Sequence, residues 1–456
     1  MVSTLLYAIN ARGALDSEHP LVRGRPEIFN SPIQENYMTT RLSQLKPRQH
    51  IFNLFIFTIA GLLLTAFITA SPMEIINGMI AIIETRDVLI TDYMSVGGVG
   101  AALFNSALVM SMSLFIVMRL RLNFTGTTIA AIFITAGFAL FGKNPLNILP
   151  ILFGSWLYSK AQGVAFSRYV YIALFATGLS PLVTEMSRLL PFSGFVNLLC
   201  AVLIGVIAGF VIPALAAHTV SMHQGYSLFN VGFAAGIIAL CIVSFLRSLG
   251  YTISTTLVWH GARSKMWFFT LTLYFVIVFI YGYIISSCKI KSFFHLFRHP
   301  GRAVADFIIM DGVGPTFMNM GACGLLCLVY IYLIGGQLSG PVIGAILTIF
   351  GFASFGIHCI NFPPVVLGVY LFTLMGSFHA SDPSMQLAAI FSACLAPISG
   401  QYTALAGIVA GILHGSVVAY IGSIYGGMNL YNNGFAAGFV AIIMVPVIES
   451  FIKRYK

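Results

Sequence analysis

Charge is what this chain most lacks. Charged residues make up 8% of its 456 positions and only 13 are acidic, whereas soluble domains carry about 25%. There is too little polar surface to solvate domains of this size, so an ordinary cytosolic enzyme is excluded. The enzyme signatures are missing too. There is no H-E-x-x-H, no G-x-S-x-G, no P-loop and no Rossmann fingerprint, and Gly98-Val99-Gly100 lacks the aspartate of an intramembrane aspartyl protease. None of the seven cysteines forms a C-x-x-C, and Cys323 and Cys327, one helical turn apart, read as small core residues. His218, His223, His358 and His414 do not have metal-ligand spacing. Neither catalysis, a cofactor nor a metal is expected. The net charge of +10 has no basic domain behind it, so nucleic acid is not an expected partner. No cleavable signal peptide is visible, because residues 1–50 are mainly polar.

What the chain has is hydrocarbon: 58% of it is hydrophobic. About 20 apolar residues cross a bilayer core. That rule gives 14 candidate spans near 51–70, 98–118, 125–142, 144–160, 169–184, 195–217, 226–247, 266–287, 315–335, 339–356, 358–377, 384–400, 401–421 and 427–450. The weakest are 144–160 and 358–377, interrupted by proline and asparagine, and whether they cross or re-enter is open. The expected class is an all-α, polytopic membrane protein in a bacterial plasma membrane.

The chain is also duplicated. A shift of 214 positions lays residues 92–158 on 306–372 without a gap. Asp92 meets Asp306, Asn105 meets Asn319, Asn147 meets Asn361 and Pro150 meets Pro364. A shift of 216 pairs Pro181 with Pro397, and a shift of 202 pairs GYSLFNVGFAAG (225–236) with GMNLYNNGFAAG (427–438). This divides the chain into a polar tail (1–50), a first repeat (51–247), a connector (248–265), a second repeat (266–450) and a basic end (451–456). Seven spans per repeat would insert the second half upside down. With both termini cytoplasmic, 17 of the 23 basic residues fall on the cytoplasmic side, as the positive-inside bias requires. Arg86, Lys143, Arg188, Arg247, Arg263 and Lys265 fall outside.

Inverted repeats build solute sites where two halves meet, with interrupted helices as the best pointer to them. The interrupted pair here is Asn147 with Pro150 and Asn361 with Pro364. Proline frees backbone carbonyls, and an asparagine amide offers both donor and acceptor to a polar solute. The bland alternative is a kinked helix whose asparagine caps its own backbone. Asn105 with Asn319, and Asn230 with Asn432, form two further pairs that need partners in hydrocarbon, supplied by a solute or by a neighbouring helix. Gly232–Gly236 and Gly434–Gly438 have G-x-x-x-G spacing, which suits helix packing within the chain or a homo-oligomer. Glu185 and Asp311 correspond to Gln401 and Gly97 in the other half. An acid present in one half only suits ion coupling, although both could equally sit solvated at membrane ends.

The whole chain resembles a bacterial membrane family defined only as a conserved domain of unknown function, which carries no mechanism. The two halves also resemble urea transporters, inverted-repeat channels with G-x-x-[GS]-[YF]-N-x-x-L ahead of a proline-broken pore segment in each half. Gly100–Asn105 precedes Asn147–Pro150, and Gly314–Asn319 precedes Asn361–Pro364. Gly225–Asn230 and Gly427–Asn432 are similar to the first element too. The chain departs from that pattern in its extra leading spans and in threonine-rich filter positions that do not line up. The resemblance implies passage of a small neutral polar solute past asparagines and freed carbonyls. A channel of that kind is the expectation. The alternatives are a proton- or cation-coupled carrier using Glu185 or Asp311, and a non-transporting scaffold or sensor.

Overall fold

Nine helices among the described residues of the computed structural model (45–87, 89–253, 255–261 and 265–454) are long and apolar enough to cross a membrane. The chain is a helical, multi-pass membrane protein. The tail up to residue 44, together with Arg263 and the last two residues, lies outside the described part.

The first half runs α1 (Pro47–Thr69), α2 (Pro72–Glu84), strand β1 (Leu89–Thr91), α3 (Gly98–Arg119), α4 (Gly126–Phe138) and α5 (Pro145–Ala161). It continues with α6 (Val170–Ala176), a 3-10 turn (Thr177–Leu179), α7 (Ser180–Leu189), α8 (Gly194–Met222) and α9 (Asn230–Ser248). Strand β2 (Thr256–Val258) in the connector pairs in parallel with β1. The second half repeats the series: α10 (Lys265–Ile285), α11 (Ile290–Leu296), α12 (Val313–Leu333), α13 (Gly340–Phe352) and α14 (Pro363–Met375). Then come α15 (Pro383–Phe391), a 3-10 turn (Ser392–Leu395), α16 (Ala396–Gln401), α17 (Ala404–Ile424) and α18 (Asn432–Arg454).

Local chemistry sets many of these boundaries. Ser71 and Glu74 close a capping box on α2, and Thr125, Ser339 and Thr403 cap α4, α13 and α17. Pro72, Pro145, Pro363 and Pro383 stand in first turns, where a missing N–H costs nothing. α1 and α10 keep most of their surface outside the bundle and present Ile56, Phe57, Leu64, Phe269 and Leu273 outward. Matching pairs pack alike: α1 on α3 and α10 on α12, α5 on α8 and α14 on α17. The glycines after the matched aspartates serve this packing. A Cβ at Gly100 would strike Ala66 and Ala70 of α1, and one at Gly314 would strike Gly282 and Ser286 at the end of α10.

At the centre, α4 and α13 pack against each other, almost wholly buried. Gly137 lies against the backbone of Gly344, and Gly351 against Phe133 and Ala130. Residue numbers rise along one helix as they fall along the other, so the pair is antiparallel. Each helix is capped from the opposite half. Asp306 accepts from the N–H groups of Gly126 and Thr127 at 3.0 and 3.3 Å. Asp92 accepts from Gly340 N–H at 3.2 Å and from His260 N–H at 3.1 Å. Asp92 and Asp306, which also accept from the N–H groups of Met94 and Ile309 next to them, therefore tie the two halves together.

Two expectations about helix breaks change. α5 starts at Pro145 and runs through Pro150, so the first interruption lies just before Asn147, over residues 139–144, while the second spans residues 353–362 and includes Asn361. A second pair of breaks, Thr177–Leu179 and Ser392–Leu395, interrupts stretches 169–184 and 384–400, which had read as plain spans. Pro181 and Pro397 sit in the first turns of the restarted helices.

Candidate functional site

Both breaks converge on the middle of the molecule. Leu430 N–H, leading into α18, donates to Gly178 O at 2.9 Å, and Leu228 N–H, leading into α9, donates to Cys394 O at 3.0 Å. Each segment thus takes up a carbonyl freed by the break in the other half. Around them stand six aromatic rings in three matched pairs: Phe138 and Phe352, Phe175 and Phe391, Phe229 and Tyr431. Phe138 meets Tyr431 at 4.9 Å and Phe391 at 5.7 Å. Their counterparts, Phe352 with Phe229 and with Phe175, meet at 4.8 and 5.8 Å. The ring of Tyr431 lies on Gly178, where any Cβ would strike it.

One ionisable side chain breaks this symmetry. Lys143, placed outside by the loop count, is 0% exposed. Its Nζ lies 5.0 Å from the Phe138 ring centre and 5.9 Å from that of Tyr431. Neither Lys143 Nζ nor Tyr431 Oη has a hydrogen-bond partner among the described residues. The position matching Lys143 is Ile357. A chain break before α5 puts this residue at the core, and no loop count registers that.

A second asymmetric cluster is linked to the same segment through Asn147, whose amide also donates to Gly142 O. Asp87 is 2% exposed. Its carboxylate accepts from Tyr93 Oη at 2.8 Å, Thr184 Oγ1 at 2.9 Å and Asn147 Nδ2 at 3.3 Å. Burial pushes the Asp87 carboxyl up to about 7 despite these donors. Glu185, 1% exposed, pairs with Arg86 at 2.7 Å. The matching second-half residues are Pro300, Gly301, Gly400 and Gln401, and a Cβ on Gly301 would strike Gly356 O. The carboxylate cluster is therefore confined to the first half by space as well as by sequence. Asp87 and Thr184 escaped the sequence reading because they lie 97 positions apart.

The asparagines are engaged with their own chain. Asn147 Oδ1 accepts from Asn144 N–H at 2.9 Å, while its Nδ2 donates to Gly142 O at 3.1 Å and reaches Thr184 and Asp87. Asn361 repeats this with His358 N–H at 2.8 Å and Gly356 O at 2.9 Å. Asn105 Nδ2 bridges Ala139 O and Lys143 O, both at 2.7 Å, and Asn319 Nδ2 bridges Ala353 O and Ile357 O at 2.7 and 2.8 Å. These are the carbonyls of the interrupted segments. Asn230 joins Thr219, His223 and Ala216, and Asn432 accepts from Tyr425 Oη at 2.6 Å. Pro150 packs against Gly205, and Pro364 against Gly407. Gly232, Gly236, Gly434 and Gly438 face Tyr431, Phe435, Phe229 and Phe233, so both G-x-x-x-G faces are used inside the chain.

Cys323 approaches Cys359 at 3.7 Å and both thiols face Asn319 Oδ1. Asp311 sits between His295 and His299. The sequence signal for this cluster is the H-x-x-x-H spacing of His295 and His299.

Fold and centre together define a helical membrane protein whose two halves run through matching elements and enclose a buried, asymmetric polar cluster. The chain belongs to a family described as "Protein of unknown function (DUF1576)", whose profile matches residues 71–248 and 286–450. Searches of curated proteins and of solved structures return no significant match.

Proposed function

We propose that this protein is a secondary transporter for a small polar solute carrying an anionic group, bound where the two halves meet. The observation behind this reading is the amino group of Lys143, buried without a hydrogen-bond partner against the ring of Tyr431, whose own hydroxyl is also unpartnered. Burial strongly disfavours the charged form of this amine. A bound solute carboxylate would restore that charge by pairing with it. Lys143 also directly precedes the N-cap of α5, where the helix dipole favours negative charge.

The halves are read as inverted, with seven crossings each: α1, α3, α4, α5, α6–α7, α8 and α9, and their counterparts. Three relations support this. Asp92, at the start of α3, caps the start of α13, while Asp306, at the start of α12, caps the start of α4. α3 therefore leaves one end of the bundle, and α12 returns from the other. α4 and α13 are antiparallel. Arg119, Arg121, Lys160, Arg168, Lys289, Lys291, Arg298 and Arg302 then share one end, the cytoplasmic one, with both termini. In a fold of this kind one repeat rocks against the other around the site, and the 3-10 breaks beside Gly178 and Cys394 are the natural joints.

Proton coupling is assigned to Asp87, next to Glu185. Its proton is exchangeable near neutral pH, and its carboxylate touches Asn147, whose amide holds the carbonyl adjoining Lys143. The channel for a neutral, urea-like solute ranks second, because the asparagines it relies on are already hydrogen-bonded within the chain, while Asn105 Oδ1 has no partner among the described residues.

The test is uptake by proteoliposomes of a panel of small carboxylates and neutral amides, with and without a pH gradient. Gradient-driven accumulation of a carboxylate is expected. Fast, gradient-independent urea flux would favour the channel instead. Silence toward both classes would contradict transport.

A further inference from the structure

Away from the central site, His295, His299 and Asp311 converge at the end of the molecule where α11 leads into α12. We propose that they form a binding site for a divalent transition metal of the zinc class. His295 and His299 are four residues apart across the end of α11, and Asp311 stands two residues before α12. His295 Nδ1 lies 3.1 Å from Asp311 Oδ1, and His299 Nε2 lies 3.0 Å from Asp311 Oδ2. The three candidate ligand atoms all fall within 4.8 Å of one another.

The second contact is the informative one. At 3.0 Å, His299 Nε2 and Asp311 Oδ2 are close enough for a hydrogen bond, yet both are buried and neither makes one. Metal–ligand bonds of about 2.0–2.2 Å in tetrahedral geometry put neighbouring ligand atoms roughly 3.3 Å apart, close to both histidine–aspartate distances here. Two imidazoles and one carboxylate suit zinc-type cations better than magnesium or calcium. The side chain of His295 is 57% exposed, which leaves the fourth position open to water. Glycine, alanine and threonine (Gly97, Ala81, Thr85) occupy the matching places in the first half, so the site belongs to one half alone.

Its place in the fold gives the site a task. The His299 carbonyl lies 3.0 Å from His358 Nε2, and His358 N–H is held by Asn361 at the start of α14. A metal on His299 therefore clamps α11 to the start of α12 and, through His358, to the interrupted segment of the second half. The site stands on its own geometry and does not depend on solute transport.

The experiment is zinc titration of the full chain, purified without a histidine tag and stripped with chelator, followed by calorimetry and by cobalt absorption spectra. One equivalent should bind, with a tetrahedral cobalt spectrum. His299→Ala and the near-isosteric Asp311→Asn should weaken binding at least 10-fold while melting like the wild type in chelator. Absence of saturable binding would overturn the site. So would binding of equal strength in folded Asp311→Asn, which would leave these groups as a plain histidine–aspartate ion pair.

Discussion

Asparagine carries the repeated part of this structure, lysine and aspartate the unrepeated part. Asn105 and Asn319 each hold two carbonyls that the breaks after α4 and α13 leave without helical donors. Stranding a buried carbonyl costs about 1–3 kcal/mol. Asn105→Ala and Asn319→Ala should therefore each lower stability by roughly 2–4 kcal/mol, read as similar drops in thermal midpoint in detergent. A solute-ligand role would leave the midpoint nearly unchanged and alter flux alone. Asp87 acts through pH. Burial pushes its folded carboxyl up to about 7, against 3.8 for an ordinary aspartate. From about pH 4 to pH 7 the unfolded chain has lost this proton and the folded chain keeps it, so this group's contribution to stability falls as pH rises through that window. Asp87→Asn should flatten the thermal midpoint across that range, and a pH profile unchanged from wild type would refute the assignment. That these polar residues needed partners was legible in the sequence. Which partner each found was not, because an amide suits a helix cap as well as a solute.

At the scale of elements, the sequence marked where helices start better than where they fail. Proline and asparagine pointed to interruptions near Asn147 and Asn361, and the structure puts the first a few residues upstream and the second around Asn361 itself. The breaks at Thr177–Leu179 and Ser392–Leu395 left less trace. Each is a short 3-10 turn whose freed carbonyl is taken up by a residue from the far half, and no local pattern encodes a partner more than 160 positions away. Gly178 is the position at which this join is most exposed to substitution. A methyl group there meets the Tyr431 ring, so Gly178→Ala should lower the thermal midpoint and abolish uptake. Gly194→Ala, at the start of α8 with open space around it, serves as the control and should change neither. Equal behaviour of the two variants would mean that the contact between the break and Tyr431 is dispensable.

Across the whole molecule, the duplication was legible because its longest stretch aligns without a gap, and the helices follow it residue for residue around α3, α4, α12 and α13. The loop charges were legible as a bias between the two ends. They misled at Lys143, since counting charges in loops assumes that a loop residue meets water, whereas this one lies inside the bundle. The cross-half caps could not be read from the sequence, as Asp92 and Asp306 look like local caps and are also that. Asp92→Ala should separate the halves at one end, lowering the thermal midpoint and increasing proteolysis in the connector. A connector as protected as in the wild type would show that this cap does not hold the halves together.

The decisive measurement is proton-gradient-driven uptake of the transported carboxylate by proteoliposomes bearing wild-type protein, Lys143→Met or Lys143→Arg. Methionine preserves the apolar stem, so Lys143→Met should melt at or above the wild-type temperature and lose uptake at least 100-fold, with Lys143→Arg retaining part of it. Undiminished uptake by folded Lys143→Met would contradict the account, because the ammonium would then be a buried structural charge with no part in solute recognition.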